Sequence, residues 1–115
     1  MKIINTTEEF RENILDIRTE EVKTDRPTLV DFYASWCAPC KSLGEVLLNL
    51  PIDVLAKVDI VKIDVEPSET QELANFFKIR SIPFLVFIDK NGIETHSGSM
   101  TKEKLIEKFE SKSWI

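Results

Sequence analysis

The two cysteines of this chain, Cys37 and Cys40, are separated by two residues and lie between a strand-like segment and a helix-like segment. The first turn of a helix brings two sulfurs at this spacing within bonding distance, so the pair can alternate between a dithiol and a disulfide. The free N–H groups and the dipole at a helix N-terminus also stabilise a thiolate. The pattern therefore predicts thiol–disulfide exchange.

A third candidate group, Asp31, lies six residues before Cys37 within an apolar run. The residues around it are Leu29, Val30, Phe32 and Tyr33. Such a run predicts a strand covered on both faces, and burial disfavours the charged form of a carboxylic acid. We therefore expect the pKa of Asp31 to be raised, which suits a proton acceptor that works near neutral pH.

A metal half-site is the alternative interpretation of the two thiols. Zinc needs about four protein ligands in a structural site. Besides Cys37 and Cys40 the chain offers only His96, the single histidine, to which we assign no role. The composition therefore favours redox chemistry over metal binding.

Length and composition indicate one domain spanning residues 1–115, with 43% hydrophobic and 30% charged residues. The formal net charge of −5 argues against nucleic acid or an anionic membrane surface as a partner. The N-terminal residues contain no secretory apolar segment, and no window approaches the ~18 apolar residues of a membrane helix. We expect a cytoplasmic protein, and in that compartment a cysteine pair is more often catalytic or metal-binding than structural.

Short apolar runs predict five strands, the last two of which form a hairpin across the turn Asp89–Gly92. These runs are Ile3–Ile4, Thr28–Ala34, Val58–Val65, Phe84–Ile88 and Ile93–His96. Residues 18–27 are polar and end at Pro27, so they predict a loop.

Apolar residues at helical spacing predict four helices, the first of which opens at a capping box of Thr6 and Glu9. The second follows the cysteines and stops at Pro51. Their buried faces are Phe10, Ile14 and Ile17; Leu43, Val46, Leu47 and Leu50; Leu73, Phe76 and Phe77; and Leu105, Ile106 and Phe109.

The predicted order is βαβαβαββα, which is an α/β fold. Strands separated by helices are expected to be parallel, and the final hairpin adds an antiparallel edge. The elements therefore predict a central mixed sheet of five strands flanked by four helices.

Over essentially its whole length the chain resembles the thioredoxin family. A lone CxxC is weak evidence, but Trp36 before it, Pro39 within it, Asp31 upstream and an Ile-Pro pair downstream are specific in combination. The matching segments are Val30–Lys41, Val61–Val65 and Ser81–Phe84, with Gly92 and Gly98. The resemblance implies a thioredoxin fold.

The resemblance also assigns catalytic roles. Cys37 is expected to be the exposed nucleophile, and Cys40, one turn into the helix, the shielded resolving thiol. Asp31 is expected to help deprotonate Cys40, directly or through water. Lys62, in the neighbouring strand, is expected to place its ammonium near Asp31 and to offset part of the effect of burial.

The family has a cis proline that faces the disulfide and leaves the preceding backbone free to pair with an extended client segment. The matching residue here is Pro83, preceded by Ile82. The expected client-binding residues are Trp36, Ala38, Pro39, Ile82, Pro83 and Gly98.

Two positions depart from the family pattern. Ala38 replaces the usual glycine between the cysteines, which raises helix propensity. Glu45 stands where a proline commonly kinks the helix, and Gly44 precedes it, so the bend is either lost or supplied by Gly44.

The prediction is a cytosolic protein-disulfide reductase that acts through Cys37 and Cys40. By the resemblance it binds no cofactor itself and is regenerated by thioredoxin reductase with electrons from NADPH. Its partners are that reductase and disulfide-containing client proteins, without nucleic acid or membrane, and we expect a monomer. The alternatives are a non-catalytic binding module of the same fold and a thiol oxidoreductase dedicated to particular clients.

Overall fold

A computed structural model that describes residues 1–115 shows a five-stranded sheet, a separate two-stranded sheet and five α-helices. In chain order the elements are β1 Lys2–Ile3, α1 Thr7–Asn13, β2 Leu15–Asp16, β3 Glu21–Val22, β4 Thr28–Tyr33, α2 Ala38–Leu48, α3 Ile52–Leu55, β5 Asp59–Asp64, a 3-10 turn Ser68–Thr70, α4 Gln71–Phe76, β6 Phe84–Asp89, β7 Gly92–Ser97 and α5 Lys102–Ser111. None of these helices has the length and apolar character needed to cross a membrane.

The large sheet has the strand order β1-β5-β4-β6-β7 and confirms the predicted mixed five-stranded sheet. Strand β5 is parallel to both β1 and β4. Strand β6 is antiparallel to β4, and β7 is antiparallel to β6. The parallel direction expected for β6 is wrong. The six residues of α4 rise only about 9 Å, which is about half the length of a six-residue strand, so this helix is too short to return the chain to the other end of the sheet.

The predicted number of four helices is also wrong, because a one-turn helix, α3, begins immediately after Pro51. Helix α2 ends at Leu48, as expected from the proline ahead. The φ angle of proline suits a helix start, and the single turn buries Val54. The proline therefore separates two helices instead of only ending one.

The first helix is shorter than predicted and the following loop contains structure. Helix α1 ends at Asn13, and β2 pairs with β3 in a two-residue antiparallel ladder. The carboxylate of Asp16 accepts hydrogen bonds from the backbone N–H and the guanidinium of Arg18, which favours a turn over further helix. Glu20, with φ of 61°, completes that turn.

Two apolar clusters cover the faces of the large sheet. One has 13 buried residues and includes Phe10 of α1 and Leu73 of α4; the other has 12 and includes Leu47 of α2 and Phe109 of α5. Along β4 the residues alternate between these clusters, so Asp31 lies on the same face as Leu29, beneath α2.

Candidate active site

Cys37 and Cys40 are joined by a disulfide at the start of α2, with their Cα atoms 5.2 Å apart. Cys37 is the N-cap residue, and its sulfur accepts a hydrogen bond of 3.2 Å from the backbone N–H of Cys40. A sulfur at this position faces the positive end of the helix dipole as well as that donor. Both features stabilise a thiolate at Cys37.

The expected exposure of Cys37 is wrong for the disulfide form. Cys37 is 4% exposed and Cys40 is 3% exposed, and both contact a small apolar cluster. The residues of that cluster are Ala34 together with the half-buried Tyr33, Val65 and Ile82. The two sulfurs therefore differ in their place on the helix and in their hydrogen bonding, and hardly at all in accessibility.

Asp31 is fully buried, and neither oxygen of its carboxylate has a hydrogen-bond partner within the chain. Desolvation by burial raises the pKa of this group to about 6, and the positive charge of Lys62 opposes part of that rise. A buried acid without hydrogen bonds to its charged form can accept a proton near neutral pH.

Lys62 pairs directly opposite Asp31 in the parallel β4–β5 ladder, so the two side chains share a face of the sheet. Its Nζ atom lies 4.4 Å from the centroid of the Tyr33 ring. Desolvation raises the pKa of Tyr33, with smaller contributions from the negative charges of Asp64 and Asp31. Gly44 of α2 lies close to this ammonium, and a Cβ atom added at Gly44 would be 3.5 Å from Lys62 Nζ.

Ala38 and Glu45, the two positions that depart from the family pattern, both lie in helix α2. Helix α2 runs without interruption from Ala38 through Gly44 and Glu45 to Leu48. Glu45 therefore continues the helix where a proline would remove a backbone donor.

A loop before β6 faces the disulfide. The Ile82–Pro83 peptide bond is cis, and the carbonyl oxygen of Ile82 lies 3.8 Å from Cys37 Sγ. A disulfide sulfur carries no hydrogen, so this is a contact in the oxidised form, and only the reduced thiol can donate to it. The backbone N–H of Gly98, whose φ is +100°, donates to the carbonyl of Pro83 at 2.9 Å.

Trp36, Ala38 and Pro39 are exposed next to the disulfide, and Trp36 is 67% exposed. Its indole N–H donates to the carboxylate of Glu66. The sequence analysis did not single out Glu66. The predicted topology could have indicated it, because Glu66 follows β5 and Trp36 follows β4, and the carboxyl ends of parallel neighbouring strands lie at the same edge of the sheet.

No group of three or more His, Cys, Asp or Glu side chains in this chain is arranged to hold a metal ion. The two thiol sulfurs that the metal interpretation would use are bonded to each other. The arrangement instead combines a reversible disulfide, a buried acid and an exposed apolar rim.

A family model described as Thioredoxin matches residues 2–111. The chain is 41% identical over 105 residues to Thioredoxin C-2 of Corynebacterium nephridii, covering 90% of this chain and 89% of that protein. It is 36% identical over 90 residues to the chloroplastic Thioredoxin Y1 of Arabidopsis thaliana, covering 77% of this chain and 51% of that relative. The crystal structure of the germline-specific thioredoxin protein Deadhead of Drosophila melanogaster is similar with a TM-score of 0.73 and 28% identity, covering 96% of this chain and 98% of that one.

Proposed function

This chain belongs to the thioredoxin family and is a thiol–disulfide oxidoreductase that reduces protein disulfides, and on that premise we propose that Cys37 is its attacking thiolate. The observation that carries the assignment is the hydrogen bond from the Cys40 N–H to Cys37 Sγ at the N-terminus of α2. In the first step the Cys37 thiolate attacks one sulfur of a client disulfide. The new bond is a mixed disulfide, and the other client sulfur leaves as a thiolate that takes a proton from water.

In the second step the thiolate of Cys40 attacks the sulfur of Cys37. The mixed disulfide breaks, the second client sulfur leaves as a thiolate, and the chain keeps the Cys37–Cys40 disulfide. Two electrons have then passed to the client. Asp31 accepts the proton of Cys40, directly or through water, and its pKa of about 6 leaves it able to take and return that proton near neutral pH.

Lys62 acts on Asp31 by charge. Its ammonium lowers the pKa that burial has raised, so Asp31 is more often ionised and ready to accept a proton. Lys62→Met keeps an unbranched side chain of nearly the same length and removes the charge. We expect the pKa of Asp31 to rise above its present value, measured by carboxyl-carbon NMR titration, and an unchanged or lower value would exclude this role.

The client lies in a shallow groove across the disulfide. The proposed contacts are Trp36, Ala38, Pro39, Ile82, Pro83 and Gly98. An extended client segment pairs with the backbone of Ile82, whose N–H has no partner within the chain. Apolar contacts without deep pockets suit clients of varied sequence.

The wider reaction sequence needs a source of electrons. Thioredoxin reductase returns the disulfide to the dithiol with electrons from NADPH, and this chain holds no bound cofactor itself. We place the protein in the cytoplasm, as a monomer whose residues 1–115 act as one domain, with disulfide-containing proteins as partners and without nucleic acid or membrane. The chloroplastic relative makes fractionation of the source cells the direct test of this location.

The roles of the two cysteines are tested by trapping. Cys40→Ser should attack client disulfides once and accumulate mixed disulfides, whereas Cys37→Ser should trap none. The wild-type chain should reduce insulin when NADPH and thioredoxin reductase are supplied together, and omission of the reductase is the control. Equal trapping by both variants would contradict the assignment, and a folded wild type that reduces no insulin would favour a binding module.

A further inference from the structure

Two serine hydroxyls beside the Ile82–Pro83 segment are hydrogen-bonded to each other. Ser81 Oγ and Ser97 Oγ are 2.8 Å apart, and neither hydroxyl has another partner within the chain. Ser81 immediately precedes Ile82, and Ser97 is the last residue of β7, immediately before Gly98. The bond therefore joins the loop that faces the disulfide to the edge strand of the sheet.

This bond completes a closed ring around Ile82. On one side of Ile82, the Pro83 carbonyl accepts the N–H of Gly98 at 2.9 Å. On the other side, the hydroxyl of Ser81 meets that of Ser97. Ile82 is thus held between two connections to the end of β7, while its own N–H stays unpaired and its carbonyl faces Cys37.

We propose that the Ser81–Ser97 hydroxyl pair positions the backbone of Ile82 for client binding. The proposal rests on the client groove proposed above and deepens it by naming two positioning residues outside the apolar rim. A backbone segment that is already fixed in its binding conformation loses less conformational entropy when a client strand pairs with it. Without the pair, the segment before Ile82 is attached to β7 only through Pro83 and the chain itself.

The expected effect is on binding of extended clients and not on the sulfur chemistry. Neither hydroxyl donates to a cysteine sulfur, so the reactivity of the Cys37 thiolate should not depend on them. A small disulfide without a peptide backbone, such as 5,5′-dithiobis(2-nitrobenzoic acid), has no strand to pair with Ile82. Comparison of this reagent with insulin separates positioning of the client from reactivity of the thiolate.

The experiment compares Ser81→Ala, Ser97→Ala and the double variant with the wild type. Loss of one solvent-exposed hydrogen bond should raise KM for insulin by about three- to tenfold, with kcat unchanged. The double variant should be no worse than the worse single variant, because either change breaks the same bond. Rates with the small disulfide should equal those of the wild type.

The matched control is Thr95→Val, which removes an exposed hydroxyl from the same face of β7 two residues earlier and should behave as wild type. Ser81→Thr keeps a hydroxyl and should restore the KM. Unchanged KM in both alanine variants, additive losses in the double variant, or equal losses with the small disulfide would each overturn the proposal. A wild type that does not reduce insulin would overturn the client groove itself, and the positioning role with it.

Discussion

Asp31 shows what a sequence can establish about a single residue. Its burial and the upward direction of its pKa follow from the apolar residues on both sides, because a strand covered on both faces leaves no exposed position. The absence of any hydrogen-bond partner for its oxygens does not follow, since partners come from elements distant in sequence. Because hydrogen bonds to the carboxylate are absent, desolvation is the main influence on the pKa of Asp31.

Asp31→Asn should stabilise the protein at neutral pH. Well below pH 4 the carboxyl is protonated in both the unfolded and the native state, so its ionisation does not change the free energy of unfolding. As pH rises from about 4 to about 6, the unfolded chain is already ionised while the native carboxyl is still protonated, and the native state loses stability until its own carboxyl ionises. The difference between these pKa values corresponds to about 3 kcal/mol. The advantage of the variant in free energy of unfolding should therefore grow by about that amount between about pH 4 and about pH 8.

Urea denaturation at the two pH values measures this change, with Asp25→Asn, an exposed carboxylate, as the control. The same Asp31→Asn variant should resolve mixed disulfides more slowly, because it cannot accept the proton of Cys40. A pH-independent difference between variant and wild type would show that Asp31 is solvated or fully compensated by Lys62.

The cysteines show what the sequence does not predict about single residues. Their spacing predicts the disulfide, but not that Cys37 and Cys40 are almost equally buried in it. Their burial depends on Tyr33, Val65 and Ile82, which reach the sulfurs from three different segments. Likewise Ser81 and Ser97 meet only through the antiparallel pairing of β6 with β7.

At the scale of elements, the long strands and helices could be predicted, as could the parallel pairing of β5 with β1 and β4 and the antiparallel β6–β7 hairpin, but the direction of β6 could not. The runs that became β4, β5 and β6 are continuous and apolar, so they were recognisable. The antiparallel direction of β6 depends on the short α4, and the β2–β3 ladder depends on the turn at Asp16 and Arg18. Both features are set by where the chain turns and not by periodicity.

Gly44 and Gly98 should respond oppositely to the same substitution. Gly44 is inside α2, and a Cβ there meets Lys62 Nζ at an ordinary contact distance of 3.5 Å. Gly44→Ala should therefore stabilise the protein by up to about 1 kcal/mol through helix propensity. Gly98 has φ of +100°, so Gly98→Ala should destabilise by about 1 kcal/mol or more. Denaturation midpoints measure both, and a destabilised Gly44→Ala would show that the space beside Lys62 must stay open.

Glu94 connects β7 to α5, because its carboxylate accepts hydrogen bonds from Lys108 and Lys112. These bonds lower its pKa to about 2. The Glu94 side chain is 41% exposed, so solvent screening limits the contribution of these ion pairs to the free energy of unfolding to about 1 kcal/mol or less. Glu94→Gln should lose that stability at neutral pH, and the loss should disappear as pH falls from about 4.5 towards about 2. This pH dependence is opposite in sign to that of Asp31, whose ionisation lowers stability.

Thermal unfolding at neutral and acidic pH measures the effect of Glu94→Gln. Glu107→Gln changes an exposed glutamate of α5 that has no ion pair, and it serves as the control. Equal effects of the two substitutions would assign the change to net charge and not to the connection between β7 and α5.

At the scale of the whole molecule, the chemistry and the C-terminal packing lie at opposite ends of the sheet. The active site is at the carboxyl end of β4 and at the start of β6, beside Phe84. Trp114 donates its indole N–H to Asp89, the last residue of β6, at 2.7 Å. Five steps of about 3.4 Å separate the two ends of β6, which is about 17 Å. The sheet therefore lets one end be strongly packed while the other keeps an exposed rim.

The two tryptophans allow this separation to be tested. Trp114 is 6% exposed and stacks on Phe109 with ring centroids 5.6 Å apart, so Trp114→Ala should cost about 3–5 kcal/mol of stability. Trp36 is 67% exposed, so Trp36→Ala should cost less than about 1 kcal/mol but weaken insulin reduction. Circular dichroism measures the unfolding of both variants. The reaction of the reduced proteins with 5,5′-dithiobis(2-nitrobenzoic acid) measures the reactivity of their thiols under conditions where both variants are folded. Because packing at the Trp114 end does not reach the disulfide, folded Trp114→Ala should react at the wild-type rate, and a slower reaction would show that the two ends are coupled through the sheet.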